Sequence, residues 1–146
     1  MHFEGSIEIG AARDRVWAFV VDPQQVGSCG PGVESVEVID ATHFRAVAKV
    51  GVGFITARFT SQMELADLQP PERAVLKAHG QAPGSAVDAT AEMRLSEAGP
   101  DRTRMDWSAE TTISGTLASV GARLIEGTAS KMISQTFDCI RTKLEA

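Results

Sequence analysis

The stretch that decides the fold is residues 116–144, TLASVGARLIEGTASKMISQTFDCIRTKL, because it breaks a two-residue rhythm held by most of the roughly eighty residues before it. Placed at about 100° per residue, Leu117, Gly121, Leu124, Ile125, Thr128 and Met132 fall on one side, while Arg123, Glu126, Lys131, Asp138 and Arg141 fall largely on the other. The pattern predicts one long amphipathic helix from Thr116 to Leu144. Its apolar stripe drifts in the last turns toward Ile133, Phe137, Ile140 and Leu144, as expected when a long helix crosses a curved surface.

Upstream of that helix, the period is two. ESVEVID (34–40) and THFRAVAKV (42–50), KVGVGFITARFTSQMELADL (49–68), PPERAVLKAHG (70–80), SAVDATAEMRLSEAG (85–99) and RTRMDWSAETTIS (102–114) alternate apolar with polar residues. Pro70-Pro71, Ala82-Pro83-Gly84 and Ala98-Gly99-Pro100-Asp101 break the runs, so the connections are local and the sheet antiparallel. Before them, FEGSIEI (3–9) reads as a first strand and RDRVWAFVVD (13–22) as a short helix stopped by Asp22-Pro23. A brief second helix fits over QQVGS, before the glycine-rich turn SCGPGVE (28–34).

The 146 residues suit a single domain spanning 1–146. A net charge of -5 disfavours nucleic acid and anionic headgroups as partners, since both are bound through clustered cations. Neither a zinc site nor a disulfide framework can be read from Cys29 and Cys139, which are far apart in sequence and form no CxxC pair. A reducing cytoplasm is the expected compartment. No leader pattern opens the sequence, and no run approaches the roughly 18 apolar residues of a membrane span.

The alternation sorts side chains into two faces. Phe44, Ala46, Phe59, Ser61, Met63, Leu65, Leu76, Ala78, Ala91, Met93, Met105, Trp107 and Ala109 share one parity; Arg45, Arg58, Glu64, Lys77, Glu92, Arg94, Asp106 and Glu110 share the other. Alanines and a serine mixed with Phe, Met and Trp fit either a closely packed helix or unfilled space beneath it. Gly121 and Gly127 within the predicted helix point the same way, because glycine there costs about 1 kcal/mol against alanine. The inward positions carry no ionisable side chain, so no acid–base pair is proposed inside and no catalytic residue is assigned. His2, His43 and His79 have no metal-type spacing, Cys29 has no identifiable base, and CGPGVE leads into a strand where a phosphate loop would lead into a helix. No cofactor or metal is expected.

The order strand, broken helix, six strands, long helix resembles the helix-grip fold of the Bet v 1 and START-like (SRPBCC) superfamily. Within it the chain resembles the bacterial CoxG family of carbon monoxide dehydrogenase subunits. The resemblance rests on Ala12 to Trp17 with Asp22-Pro23, on Cys29, Pro31-Gly32 and Glu34, on Lys49 to Phe59, and on Gly121 to Met132. It implies an α+β fold with a seven-stranded curved antiparallel sheet wrapped on a long C-terminal helix, one or two short helices after the first strand, and an apolar cavity between sheet and helix. Cys29, Gly30, Pro31 and Gly32 would form a rim at the cavity mouth.

The function this implies is a non-enzymatic accessory protein that binds a lipophilic small molecule, a quinone among the candidates, in association with a molybdenum-containing carbon monoxide dehydrogenase or related hydroxylase. The expected cavity residues are Phe59, Ser61, Met63, Met93, Met105, Trp107, Leu124, Ile125, Thr128 and Met132. The alternative is a docking module for that dehydrogenase with no functional ligand, in which Arg58 and Arg94 would act from the outer face. A lesser alternative is a cyclase or hydrolase on the same scaffold. Many relatives continue to an apolar tail, whereas this sequence ends at Ala146, so no anchor is expected in it; peripheral contact at the inner face of the membrane stays open.

Overall fold

A computed structural model describes residues 1–146. The elements run β1 (His2–Ile9), α1 (Arg13–Val20), α2 (Pro23–Gly27), β2 (Val33–Val38), β3 (His43–Val52), β4 (Ile55–Gln69), β5 (Arg73–Ala82), β6 (Ser85–Gly99), β7 (Arg102–Gly115), a 3₁₀ turn (Thr116–Val120) and α3 (Ala122–Glu145). The strands form one antiparallel sheet in the order β1-β7-β6-β5-β4-β3-β2. The first strand therefore pairs with the last, and the α1–α2 segment must pass from one edge of the sheet to the other. Register shifts at Val33/Ser35, Ala66/Gln69 and Glu97/Gly99 bend the sheet, since an extra residue on one strand raises the local twist.

Cross-strand pairing puts the expected dry parity on one face: Phe44 opposes Met63, Met63 opposes Ala78, Leu76 opposes Ala91, and Met93 opposes Trp107. Trp107 can lie close over β1 because Gly5 stands beneath it. A methyl group at Gly5 would come within 2.9 Å of the indole. Short turn chemistry fixes the connections. The Asp22 carboxylate caps α2 by accepting the Gln24 N–H at 3.0 Å, with Pro23 in the first turn.

At the β2–β3 turn one oxygen of Asp40 accepts the backbone N–H groups of Thr42 (2.9 Å) and His43 (2.8 Å). Those bonds, with that of the Thr42 amide foremost, and the contact of the same oxygen with the His43 imidazole hold the Asp40 carboxyl at about 2, well below its ordinary 3.8. A depressed carboxyl contributes stability above its unfolded value and loses it as pH falls through its folded one. Stability should therefore decline between about pH 4 and 2, and decline less in Asp40→Asn, whose turn has no charge to lose. Thermal unfolding at pH 5 and 2.5 checks this; equal losses in the two proteins would contradict it.

One long helix from Thr116 is not what forms. Gly121 adopts φ +99°, a conformation that cannot propagate a right-handed helix, so the 3₁₀ turn and α3 are separate pieces. Nothing lies within 4 Å of the position a Cβ would take at Gly127, so no close strand accounts for that glycine.

Of the 146 residues only 20 are buried, and they do not form one continuous core. Ile9, Ala11, Val16, Phe19, Cys29, Leu95, Met105, Ile140 and Leu144 pack at the end where α1 and the last turns of α3 meet the sheet. Val52, Phe59, Leu117 and Ile125 pack at the other end. Ile125 and Ile140 are about 22 Å apart along the helix axis, and Thr128, Met132, Ile133, Thr136 and Phe137 between them are only half-buried. Thr103 is fully buried in the first end, where its hydroxyl donates to the Ala11 carbonyl at 2.7 Å. Thr103→Val leaves that carbonyl unpaired and should cost about 1–3 kcal/mol in urea denaturation. An unchanged midpoint would contradict it.

Candidate functional site

Between the two packed ends lies a cavity of about 380 Å³, with 16 hydrophobic residues among the 20 that line it. The sheet supplies Phe44, Leu65, Leu76, Ala91, Met93, Met105, Trp107 and Ala109. Helix α3 supplies Met132, Ile133, Thr136, Phe137 and Ile140, and the α1–α2 segment closes one side with Val20, Val21, Pro23 and Val26. Trp107 and Phe137 meet across it with ring centroids 5.3 Å apart and planes tilted by 50°, tying sheet to helix.

Polar groups on this lining are few and mostly engaged. The Thr136 hydroxyl donates to the Met132 carbonyl at 2.8 Å, leaving its lone pairs as acceptors. Glu92, of the outward parity, reaches the cavity edge but is held by Arg73 Nε at 3.0 Å and Arg94 Nε at 2.7 Å. The Arg73 hydrogen bond keeps its carboxyl below the ordinary range. The three histidines sit on the outer face or its edge turn, each beside a carboxylate: His2 by Glu110, His43 by Asp40, His79 by Asp88. The Glu110 hydrogen bond raises the His2 imidazole above its usual value. No group of three or more His, Cys, Asp or Glu side chains converges to hold a metal ion.

Of the residues expected to line a cavity, Met93, Met105, Trp107 and Met132 do so. Phe59 and Ile125 belong to the packed cluster beyond it. Ser61 is half-buried beside Gly80, and Met63 borders a separate groove with Phe44 and Ala78. Leu124 is 43% exposed, and with Thr128 it lines a surface groove beside Arg123 and Lys131. Reading Leu117 and Gly121 into the same helix as Met132 turns the apolar stripe toward Leu124 and Thr128. With the break at Gly121, α3 presents Met132, Thr136 and Ile140 inward instead.

The expected rim also lies elsewhere. Cys29 is buried and bonded to Cys139, with Cα atoms 5.4 Å apart. Gly32 packs on the Lys49 carbonyl and Gly30 against Val33. The cavity is bordered instead by Val20, Val21, Pro23 and Val26, a role hidden in sequence because the Val-Val-Asp-Pro run reads only as the end of a helix. The Cys29–Cys139 pairing spans 110 residues and has no local spacing to announce it. It arises because the α2–β2 turn docks on the last turns of α3.

The curved seven-stranded sheet, the long C-terminal helix and the cavity between them define a helix-grip protein of the START and Bet v 1-like class. Its residues 5–145 match the model of CoxG, a family of carbon monoxide dehydrogenase subunits, and the chain belongs to that family. It is similar to a conserved protein from Geobacillus kaustophilus, at 24% identity and TM-score 0.93, covering 99% of this chain and 95% of that one. It is also similar to the ZhuI aromatase/cyclase from Streptomyces sp. R1128, at 16% identity and TM-score 0.75, covering 99% and 93%. A START superfamily protein from Mycobacterium smegmatis aligns at 10% identity and TM-score 0.72, covering 99% and 97%. A search of curated proteins gives no match. No helix is long and apolar enough to cross a membrane.

Proposed function

We propose that the protein is a non-enzymatic accessory component of a carbon monoxide dehydrogenase-type enzyme that holds a lipophilic small molecule, of the size and polarity of a quinone headgroup, in the cavity between sheet and α3. The observation that carries this reading is the division of the core: about 380 Å³ of apolar space lies between two packed ends. That volume lies within the roughly 300–1,000 Å³ of small-molecule sites. Burying about 250 Å² of apolar ligand surface would return about 6 kcal/mol before the cost of association. With no acid–base pair on the lining, the cavity is equipped to hold and to exclude water, not to move protons.

Trp107 in the cavity wall supplies the readout. In a Trp17→Phe background, a ubiquinone analogue with a short tail should quench Trp107 fluorescence saturably at one equivalent. Quenching that rises linearly with quinone, as free collision does, would sink the reading.

Phe54 favours a second role, docking, because it is 86% exposed at the tip of the β3–β4 hairpin. Arg58 and Arg94 are weaker docking candidates than their parity suggests, since Glu34 and Glu92 already pair with them at 2.6 and 2.7 Å. Capture of the dehydrogenase by wild type but not by Phe54→Ser would support docking through the hairpin, and equal capture would exclude it.

A further inference from the structure

Helix α2 is a short piece of the cavity wall. It has five residues, none of them buried, yet it contributes Pro23 and Val26 to the lining. It rests on β2 where Gly27 packs against Val36, and its side-chain hydrogen bond to β2 is a long one, from Gln24 Nε2 to the Val36 carbonyl at 3.4 Å. Glycines at 27, 30 and 32 surround the turn that follows it, and the turn's backbone meets the sheet at Gly32, whose carbonyl accepts from the Lys49 N–H at 2.9 Å.

What crosses from this segment to α3 is short and local. Cys29 is bonded to Cys139, and the neighbouring Ser28 hydroxyl accepts from Lys143 Nζ at 2.6 Å. The second contact is exposed, and an exposed hydrogen bond of this kind contributes little. The other link is apolar: Cys29 shares a buried cluster with Ile140 and Leu144, and Val26 packs against that cluster, so the covalent bond is the part of the connection that reduction removes. Its position is what matters: Val26 lies one turn before Cys29, Phe137 two residues before Cys139 and Ile140 directly after it, and all three line the cavity. The bond joins two walls of the same cavity.

We propose that the Cys29–Cys139 disulfide is a redox latch on the cavity, closing the α2 wall against α3 when oxidised and releasing it when reduced. The proposal rests on the reading of the cavity as a ligand site. Reduction runs by exchange with low-molecular-weight thiols. A thiolate attacks one sulfur, the S–S bond breaks and a mixed disulfide forms; a second thiol then displaces the first as RS–SR. Two electrons and two protons pass from two RSH to the cysteines. Cys139 is half-buried where Cys29 is buried, and Ser28, next to Cys29, and Lys143, one turn beyond Cys139, border an open cleft. Freed of the bond, α2 belongs among the segments that open locally without global unfolding. A ligand held behind it would then leave faster.

Three measurements on the full chain test this. Thiol titration of protein purified without reductant, under denaturant, should find no free thiol; two free thiols would overturn the proposal at once. Hydrogen exchange of the amides from Val21 to Cys29 should accelerate at least tenfold on adding dithiothreitol, while those of β4 to β6 stay protected. The neutral probe N-phenyl-1-naphthylamine should dissociate at least tenfold faster from reduced than from oxidised protein. The Cys29→Ser/Cys139→Ser variant should match the reduced protein and ignore dithiothreitol. Unchanged exchange over Val21 to Cys29, or equal dissociation rates in both states with binding intact, would overturn the latch. If the probe binds neither state while exchange still responds, the ligand-site reading fails and the gate falls with it, leaving the bond a structural brace.

Discussion

Replacing Ala91 by Phe should abolish ligand uptake and leave the protein as stable as before, or more so. Ala91 sits mid-strand on β6, opposite Leu76 on one side and Ala109 on the other, and all three line the cavity. In a filled core, adding a ring at such a place forces neighbours off their rotamers and costs about 1–3 kcal/mol. Here the ring would enter empty apolar space, gain contacts and displace nothing but a ligand. Affinity for an apolar probe should fall at least 100-fold, equivalent to about 2.7 kcal/mol, while the melting temperature holds or rises by a few degrees. Titration and thermal unfolding of one preparation give both values. A variant that melts lower and still binds would mean that the space beneath Ala91 is not the site.

Ile9→Ala and Met132→Ala should differ widely in cost although both shorten a large apolar side chain. Ile9 is fully buried in the larger packed cluster, so removing its branch forfeits transfer energy and leaves a hole that its rigid neighbours cannot close. The expected loss is about 3–4 kcal/mol. Met132 is half-buried and already faces open space, so truncation removes fewer contacts and creates no new enclosed hole. Its loss should be about 1 kcal/mol, below the roughly 2–5 kcal/mol of a fully buried methionine. Urea denaturation of the two variants measures the difference directly. Similar losses would mean that the core is continuous in solution and the cavity collapsed.

Much of the architecture is legible in the sequence because it follows from period. Alternation over β3 to β7 with turn residues between the runs specifies an antiparallel sheet and assigns Met93, Met105 and Trp107 to its inner face. The change of period after Gly115 specifies a long helix. What period cannot give is phase across a break. Gly121 looks like one more small residue on a helical stripe, and only its positive φ reveals that the stripe restarts there; hence Leu124 and Thr128 read as inward and Thr136 escapes notice. Contacts set by docking are hidden too. Nothing local to Cys29 or Cys139 shows that the α2–β2 turn lands on the end of α3, and nothing in Val20 to Val26 shows that this segment closes a cavity. Fold comes from repeated local pattern, whereas the site depends on a few long-range placements.

The most direct test of the cavity as a ligand site is native mass spectrometry of freshly purified protein, followed by organic extraction and mass identification of whatever is released. A reproducible one-to-one adduct is expected, with a quinone or another lipophilic molecule as the released component. Stripped protein should take the same compound up again, and Ala91→Phe should neither carry it nor take it up. A bare mass, with no uptake when quinones are added back, would contradict the ligand-site reading and leave docking as the role of this protein.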